Sequence, residues 1–216
     1  MNTILFYDTE TTGLPNWSMP SEDPSQPRVI ELAAELCEES TGITLGQMNV
    51  VIRPSGWTIP AEIAQLTGIT QELAEAVGVP MDSALSNFLE LWMNADQRGA
   101  HNESFDMRMI RIEIMRHDRY MGETMTTETG AVPFADYWKK APAYCTQSNS
   151  VKIINLPPTA KMIAAKRLGP KSPNLAEAYE FFTGQKLEGA HRAMADVQAC
   201  KAVYYGIKNH GLKDAA

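Results

Sequence analysis

The first apolar run, residues 3–7 (TILFY), is β-branched and aromatic and stops at Asp8, which predicts a short buried strand at the start of the fold. Residues 29–38 (VIELAAELCE) and 47–52 (QMNVVI) read as two more strands separated by the turn-forming Glu39-Ser40-Thr41-Gly42, an antiparallel meander. The Ala, Leu and Glu of residues 29–38 would suit a helix as well. Between the first two runs, residues 15–27 hold Pro15, Pro20, Pro24 and Pro27 among Ser, Asn and Asp. That excludes both helix and central strand and predicts an exposed loop.

Beyond the meander the period changes to that of a helix. Residues 60–66 (PAEIAQL) open with proline at a first helical position and stop at Thr67-Gly68, and another short helix follows from Gln71. Residues 82–95 place Leu85, Phe88, Leu89 and Trp92 on one helical stripe behind Asp82 as a cap. Residues 105–115 repeat the period with Met109, Ile110 and Ile114 after the loop His101-Asn102-Glu103-Ser104, which puts Asp106 in the first turn. Residues 117–158 are polar and Thr-rich with no long period, so loops are expected there, with a short strand near residues 151–154. Two helices close the chain at residues 174–182 and 193–208, the second with Val197, Cys200, Val203 and Tyr204 on one side.

Composition narrows the class. With 216 residues, 44% hydrophobic and 21% charged, the chain is expected to form one elaborated globular domain, residues 1–216, with extended loops near 15–27 and 117–171. No internal repeat or low-complexity tract is present. An acid at Asp8 interrupts any signal-peptide core and no apolar run reaches the ~20 residues of a membrane span, so a cytoplasmic protein without a membrane partner is expected. Cys37, Cys145 and Cys200 are too few and too scattered for a disulfide framework or a CxxC metal knot. A net charge of −7 excludes the overall basic footprint of a general DNA-coating protein. A nucleic-acid partner would need local chemistry, and carboxylates neutralised by divalent cations could supply it.

Asp8 and Glu10 end the first strand two residues apart, so both carboxylates face one spot. Repulsion there protonates one of them unless a cation intervenes, and hard oxygen ligands suit Mg²⁺ or Mn²⁺ rather than zinc. A bare Asp-x-Glu is also compatible with a polar strand end. The following Thr11-Thr12-Gly13 adds hydroxyls, backbone N–H groups and a flexible turn suited to close approach by a nucleotide or phosphate.

Three segments together carry a family resemblance. Asp8-Thr9-Glu10-Thr11-Thr12-Gly13-Leu14 resembles the first exonuclease motif of the DEDD superfamily, typified by the polymerase proofreading subunit. His101-Asn102-Glu103-Ser104-Phe105-Asp106 resembles the second motif, and His191-Arg192-Ala193-Met194-Ala195-Asp196 the third, in the histidine-containing (DEDDh) branch. The resemblance covers most of the chain and is thinnest through residues 15–27 and 117–171. It implies a ribonuclease-H-like α/β fold, a mixed and mostly antiparallel sheet flanked by helices, with 3′–5′ exonuclease activity releasing 5′-mononucleotides from single-stranded or frayed nucleic acid, DNA favoured over RNA. It further implies two Mg²⁺ or Mn²⁺ ions held by Asp8, Glu10, Asp106 and Asp196, with His191 as general base. Imidazole ordinarily titrates near ~6.5 and accepts a proton around neutral pH. Helical phase would point His191 and Asp196 about 140° apart, so His191 belongs on the loop before the last helix, a loop that Gly189 supports.

Substrate contacts are expected from Thr11, Thr12, Gly13, Leu14, Asn102 and Phe105, with Leu14 as a wedge and Phe105 as a base stack or a core anchor. His101 could serve as a structural hydrogen-bonding group or contact substrate. Family members carry a His-Gly substrate turn where this chain has Thr67-Gly68, and Lys161, Lys166, Arg167 and Lys171 form a basic run that could grip phosphates or simply be solvated. A DNA polymerase or a second copy of the chain is a possible partner. Two other classes compete: phosphatases that form an aspartyl-phosphate, which would leave His191 without a role, and a catalytically silent nucleic-acid-binding or polymerase-accessory module, which would normally lack one of the five site residues.

Overall fold

Alternation along Thr3–Thr11 (β1) sends Ile4 and Phe6 to one face and Leu5 and Tyr7 to the other, and all four are fully buried, so this strand is covered on both sides. The computed structural model describes residues 1–117 and 123–213. β1 pairs antiparallel with Val29–Glu38 (β2), which pairs antiparallel with Thr44–Val51 (β3). On its other side β1 runs parallel to Gln97–Ala100 (β4), and β4 runs parallel to Ala143–Cys145 (β7). The sheet order is β3-β2-β1-β4-β7, with the antiparallel pairings much the longer.

Two helical layers enclose this sheet. On one face Met81–Met93 (α3), Glu103–Arg116 (α4) and Phe134–Lys140 (α5) bury Phe88, Trp92, Met109, Ile110 and Trp138 against Leu5, Tyr7, Leu32 and Ala34. On the other, Ala193–Lys213 (α9) packs Val197, Cys200 and Tyr204 onto Ile4, Phe6 and Ala33. Ala61–Thr67 (α1) and Gln71–Val77 (α2) cover Ile30 beside the start of β2. Leu175–Thr183 (α8) packs on α9 and opens with a full capping box, Asn174 and Glu177 satisfying each other's backbone N–H groups.

The meander, the two short helices and the α3 and α4 stripes form where the hydrophobic pattern places them. Four points differ. The strand expected near residues 151–154 is the last turn of a helix, Thr146–Ile154 (α6), ended by Asn155 in the left-handed region at φ 50°. Val and Ile have β propensity, but the helix nucleates upstream at polar Thr146-Gln147-Ser148, where the Cys145 sulfur accepts the Ser148 N–H. Asp82 does not cap α3; Pro80 takes the N-cap position and Asp82 sits in the first turn, where it complements the helix dipole. The stretch read as loops from residue 117 onward contains a hairpin, Thr124–Thr127 (β5) with Gly130–Pro133 (β6), then α5, β7 and α6, and further on Ala160–Ala164 (α7). Residues 118–122 of that stretch lie outside the described residues. The sequence pattern does not predict strand β4, because its four residues, Gln-Arg-Gly-Ala, show no apolar run; its pairing partners, not its composition, make it a strand.

Candidate active site

The site forms where β1 outruns its parallel neighbour. β4 pairs only with Ile4 to Phe6 and ends at Ala100, so the edge of β1 from Asp8 onward is left open beyond it. The chain turns at Asn102, in the left-handed region at φ 68°, and enters α4 at once. Asp106 in the first turn of α4 then takes the place a longer β4 would have filled: its Oδ1 accepts the Thr9 N–H (3.0 Å) and the Thr9 hydroxyl (2.8 Å). This lies at the carboxyl ends of parallel strands, where open α/β sheets bind ligands. Thr9 is therefore more than the spacer between two acids; it holds Asp106 at only 2% exposure.

Asp8 and Glu10 point to the α9 face. Glu10 lies opposite Glu31 in the antiparallel register, and Glu31, 1% exposed, is the residue the motifs did not reveal. Its carboxylate accepts the Ala193 N–H (3.0 Å) at the start of α9 and pairs with the Arg192 guanidinium (2.8 Å). A strand carboxylate thus satisfies a free donor at the helix N-terminus, and so fixes where α9 presents Asp196. His191 lies on the loop before α9, as the helical phase argument requires, with its backbone at φ 67°, a region that costs a non-glycine residue ~1–2 kcal/mol. Gly189, at φ 69°, makes the same turn without that strain. The His191 N–H donates to Asp196 Oδ2 (3.3 Å), and one ligand atom each from Glu10, His191 and Asp196 lies within 4.8 Å of the others.

Electrostatics give the cluster its character. Burial, followed by the charges of Asp106, Asp196, Glu10 and Glu31, pushes the Asp8 carboxyl well above its ordinary range. Burial lifts Asp106 to about 8 against the opposing Thr9 hydrogen bonds, and burial with the Asp196 and Glu31 charges lifts Glu10 to about 7. Asp196 is raised too, chiefly by burial. Its Oδ1 is buried and without a hydrogen-bond partner among the described residues. Four raised carboxylates and an orphaned carboxylate oxygen fit a divalent cation, and the oxygen-rich donor set suits Mg²⁺ or Mn²⁺.

The remaining expected contacts divide. The Thr11 hydroxyl donates to the Gly13 carbonyl (2.8 Å), and the Thr12 hydroxyl accepts the Arg28 N–H (2.9 Å), so both shape the turn after β1. Leu14 stands 84% exposed beyond that turn, and Asn102 is exposed at the head of α4. Phe105 is half-buried, packed against the core. Both ring nitrogens of His101 are engaged within the fold: its Nε2 donates to the Pro173 carbonyl (3.1 Å), its Nδ1 lies 3.0 Å from the Thr146 hydroxyl, and burial lowers its pKa. Thr67 is buried, its hydroxyl donating to the Ile63 carbonyl (2.9 Å), and so serves the end of α1. In the basic run Lys171 is paired with Glu177 (2.6 Å), while Lys161, Lys166 and Arg167 are exposed. Behind the site, the Arg98 guanidinium is 1% exposed, donates to Glu103 (2.6 Å) and stacks on Trp138 at 4.3 Å, and the Tyr7 hydroxyl donates to the same Glu103 oxygen (3.0 Å).

Comparison with known proteins agrees with this architecture. The RNase_T exonuclease family matches residues 5–204, and the chain belongs to that family, within the DEDD superfamily. A search of curated proteins gave no significant match. Among solved structures, E. coli exonuclease I in complex with a dT13 oligonucleotide matches with a TM-score of 0.67 at 20% identity, over 100% of this chain and 43% of that one. The zinc-bound form of the E. coli exonuclease I complex with single-stranded DNA gives 0.67 at 18% identity, over 97% and 41%. A third exonuclease I structure, described in terms of processivity, gives 0.64 at 18%, over 97% and 41%. The fold is thus the ribonuclease-H-like exonuclease fold, and the chain spans about two fifths of the length of these structures. Among the described residues no helix is long and apolar enough to cross a membrane.

Proposed function

We propose that this chain is a divalent-metal-dependent 3′–5′ exonuclease that hydrolyses the terminal phosphodiester of single-stranded or frayed nucleic acid and releases 5′-mononucleotides. The observation that carries the reading is the convergence of Asp8, Glu10, Asp106 and Asp196, carboxylates that burial and mutual repulsion hold above their ordinary range, with Asp196 Oδ1 buried and unpartnered among the described residues. Asp8, Glu10, Asp106 and Asp196 would hold two Mg²⁺ or Mn²⁺ ions. Bound there, such ions lower the pKa of an attacking water and stabilise the charge on the leaving 3′ oxygen.

The protein's own groups supply the rest. Thr9 fixes the Asp106 carboxylate, and Glu31 fixes the start of α9, so the four acids are positioned before substrate arrives. His191, exposed on its strained loop beside Glu10 and Asp196, takes the proton of the attacking water at an imidazole nitrogen. Leu14, projecting from the turn after β1, separates the terminal base from its neighbour. Single-stranded DNA is the favoured substrate, in keeping with the oligonucleotides bound by the structural neighbours.

The deciding experiment incubates 3′- and 5′-labelled single-stranded DNA and matched RNA with the protein in Mg²⁺ or Mn²⁺, beside an Asp8→Ala control. Release of mononucleotide from the 3′ end, abolished by the substitution, is expected. Binding without cleavage would instead identify a silent nucleic-acid-binding module, and release from the 5′ end would reverse the polarity.

A further inference from the structure

A guanidinium is a planar fork with two edges that can each hold an anion bidentately, one made by Nε and Nη2 and the other by Nη1 and Nη2. Arg192, between His191 and the first residue of α9, uses only the first. Its Nε lies 3.3 and 3.2 Å from the two Glu31 oxygens and its Nη2 lies 2.8 Å from Glu31 Oε1, whereas Nη1 has no hydrogen-bond partner among the described residues. The Arg192 side chain is 48% exposed and that of Glu31 is 1% exposed. One edge is thus turned into the protein and the other is open. Glu31 is itself fixed, since it also accepts the Ala193 N–H at 3.0 Å, so the guanidinium is oriented before any ligand binds, which lowers the entropic cost of binding.

The strand register places this fork at the acids. Glu31 is the cross-strand partner of Glu10, and directly opposed residues of antiparallel strands have Cβ atoms about 5 Å apart on one face. Glu10 in turn shares its cluster with His191 and Asp196, their ligand atoms all within 4.8 Å of one another. The charges sense each other accordingly. Hydrogen bonds from Glu31, then the Glu31 and Glu10 charges, raise the Arg192 pKa, and the Arg192 charge opposes the burial and the acidic neighbours that raise Glu10. An exposed Arg–Glu pair is commonplace and stabilises little. This one differs in holding a buried carboxylate on one edge while the other edge stays free beside the cluster. Once divalent cations neutralise Glu10 and its neighbours, that free edge has no competing carboxylate, and its two N–H rows match the oxygens of a phosphate. In a chain of net charge −7 such a local cation is what a polyanion can find.

We propose that Arg192 binds a phosphate of the substrate strand at the acid cluster, Nη1 and Nη2 donating to its non-bridging oxygens while Nε and Nη2 stay on Glu31. The proposal rests on the exonuclease reading and adds to it a substrate-binding residue beyond the four acids and His191, with Glu31 as the residue that positions it.

The test replaces one phosphodiester at a time, inward from the 3′ end of a labelled single-stranded DNA, by an uncharged methylphosphonate. Binding is read by fluorescence anisotropy in Ca²⁺ and hydrolysis by single turnover in Mg²⁺, for wild type, Arg192→Gln and Arg192→Lys. Wild type should lose about tenfold in affinity at one register beyond its loss at the others, the weight of a hydrogen-bonded charge. Arg192→Lys keeps a cation for Glu31 and has no second edge to offer, so it should melt near wild type, keep the Mn²⁺-induced rise in melting temperature, bind the unmodified strand about tenfold more weakly and show no special register. Arg192→Gln should show the same flat profile with a lower melting temperature. Profiles of wild type and Arg192→Lys that coincide, or equal affinity for the unmodified strand, overturn the proposal and leave Arg192 as a bridge from α9 to β2. If wild type binds the strand and degrades none in Mg²⁺ or Mn²⁺, the exonuclease reading fails and the anisotropy profiles still decide the role of Arg192. If degradation proceeds and the profiles coincide, only the phosphate contact falls; if wild type neither binds nor degrades, both fall.

Discussion

Replacing Glu10 by Gln should make the metal-free protein more stable while removing its activity. The Glu10 carboxyl is lifted from 4.5 to about 7, first by burial and then by the charges of Asp196 and Glu31. A group whose folded pKa lies above its unfolded one binds a proton more readily when folded. Its favourable contribution is therefore complete below about pH 4.5 and is lost as pH rises to about 7. At roughly 1.4 kcal/mol per pKa unit the full penalty would be about 3.5 kcal/mol, and solvent at this partly exposed side chain reduces it to ~1–2 kcal/mol. Gln keeps the shape and carries no charge. In EDTA at pH 8, Glu10→Gln should thus melt ~2–8 °C above wild type, given ~2–4 °C per kcal/mol for a chain of this size, with the gap nearly closed at pH 5. Saturating Mn²⁺ should raise the wild-type melting temperature by mass action and leave the variant little changed, inverting the order. The assay is thermal unfolding by circular dichroism across pH, with and without metal. A variant less stable than wild type at pH 8 in EDTA, or a gap independent of pH, would refute the account of the site as a store of carboxylate repulsion that a cation relieves.

Other substitutions probe separate links of the same argument. His191→Ala should slow hydrolysis by ~10²–10⁴-fold while the Mn²⁺-induced rise in melting temperature survives; full activity in the variant across pH 6–9 would exclude His191 as base. Glu31→Ala frees the Arg192 guanidinium and the Ala193 N–H at the head of α9, and should cost ~1–3 kcal/mol in urea unfolding and lower activity without contacting substrate. Arg98→Ala leaves Glu103 without its guanidinium partner under Tyr7 and should cost ~3–5 kcal/mol; a loss under 1 kcal/mol would show that Glu103 finds another partner.

Much of the chemistry is legible in the chain because it is local. Asp8 and Glu10 share a face by the two-residue strand period, Asp106 belongs to a helix start announced by the Met109-Ile110-Ile114 stripe, and His191 must precede its helix because the α-helical turn would otherwise point it away from Asp196. These follow from backbone geometry that any such segment obeys. The core stripes of α3, α4 and α9 are equally readable, since burial of an apolar face needs only the right period. Residues 151–154 show where that logic stops: a β-branched run four residues long carries too little information to outweigh a helix already started at Thr146.

What the chain could not declare is every interaction that depends on which elements become neighbours. Glu31 is one acid among 26 acidic residues until the antiparallel register sets it opposite Glu10 and under Ala193, and Thr9 is a spacer until the short β4 leaves its N–H for Asp106. The same holds for the loop of residues 15–27, whose prolines predict only exposure, whereas Gln26 and three arginines of α4 hold it with hydrogen bonds. Local period and residue chemistry decide which groups a segment offers and on which side. Register, strand length and helix docking decide which of those groups meet, because a side chain's partners across the fold lie tens of residues away and are selected by the packing of whole elements.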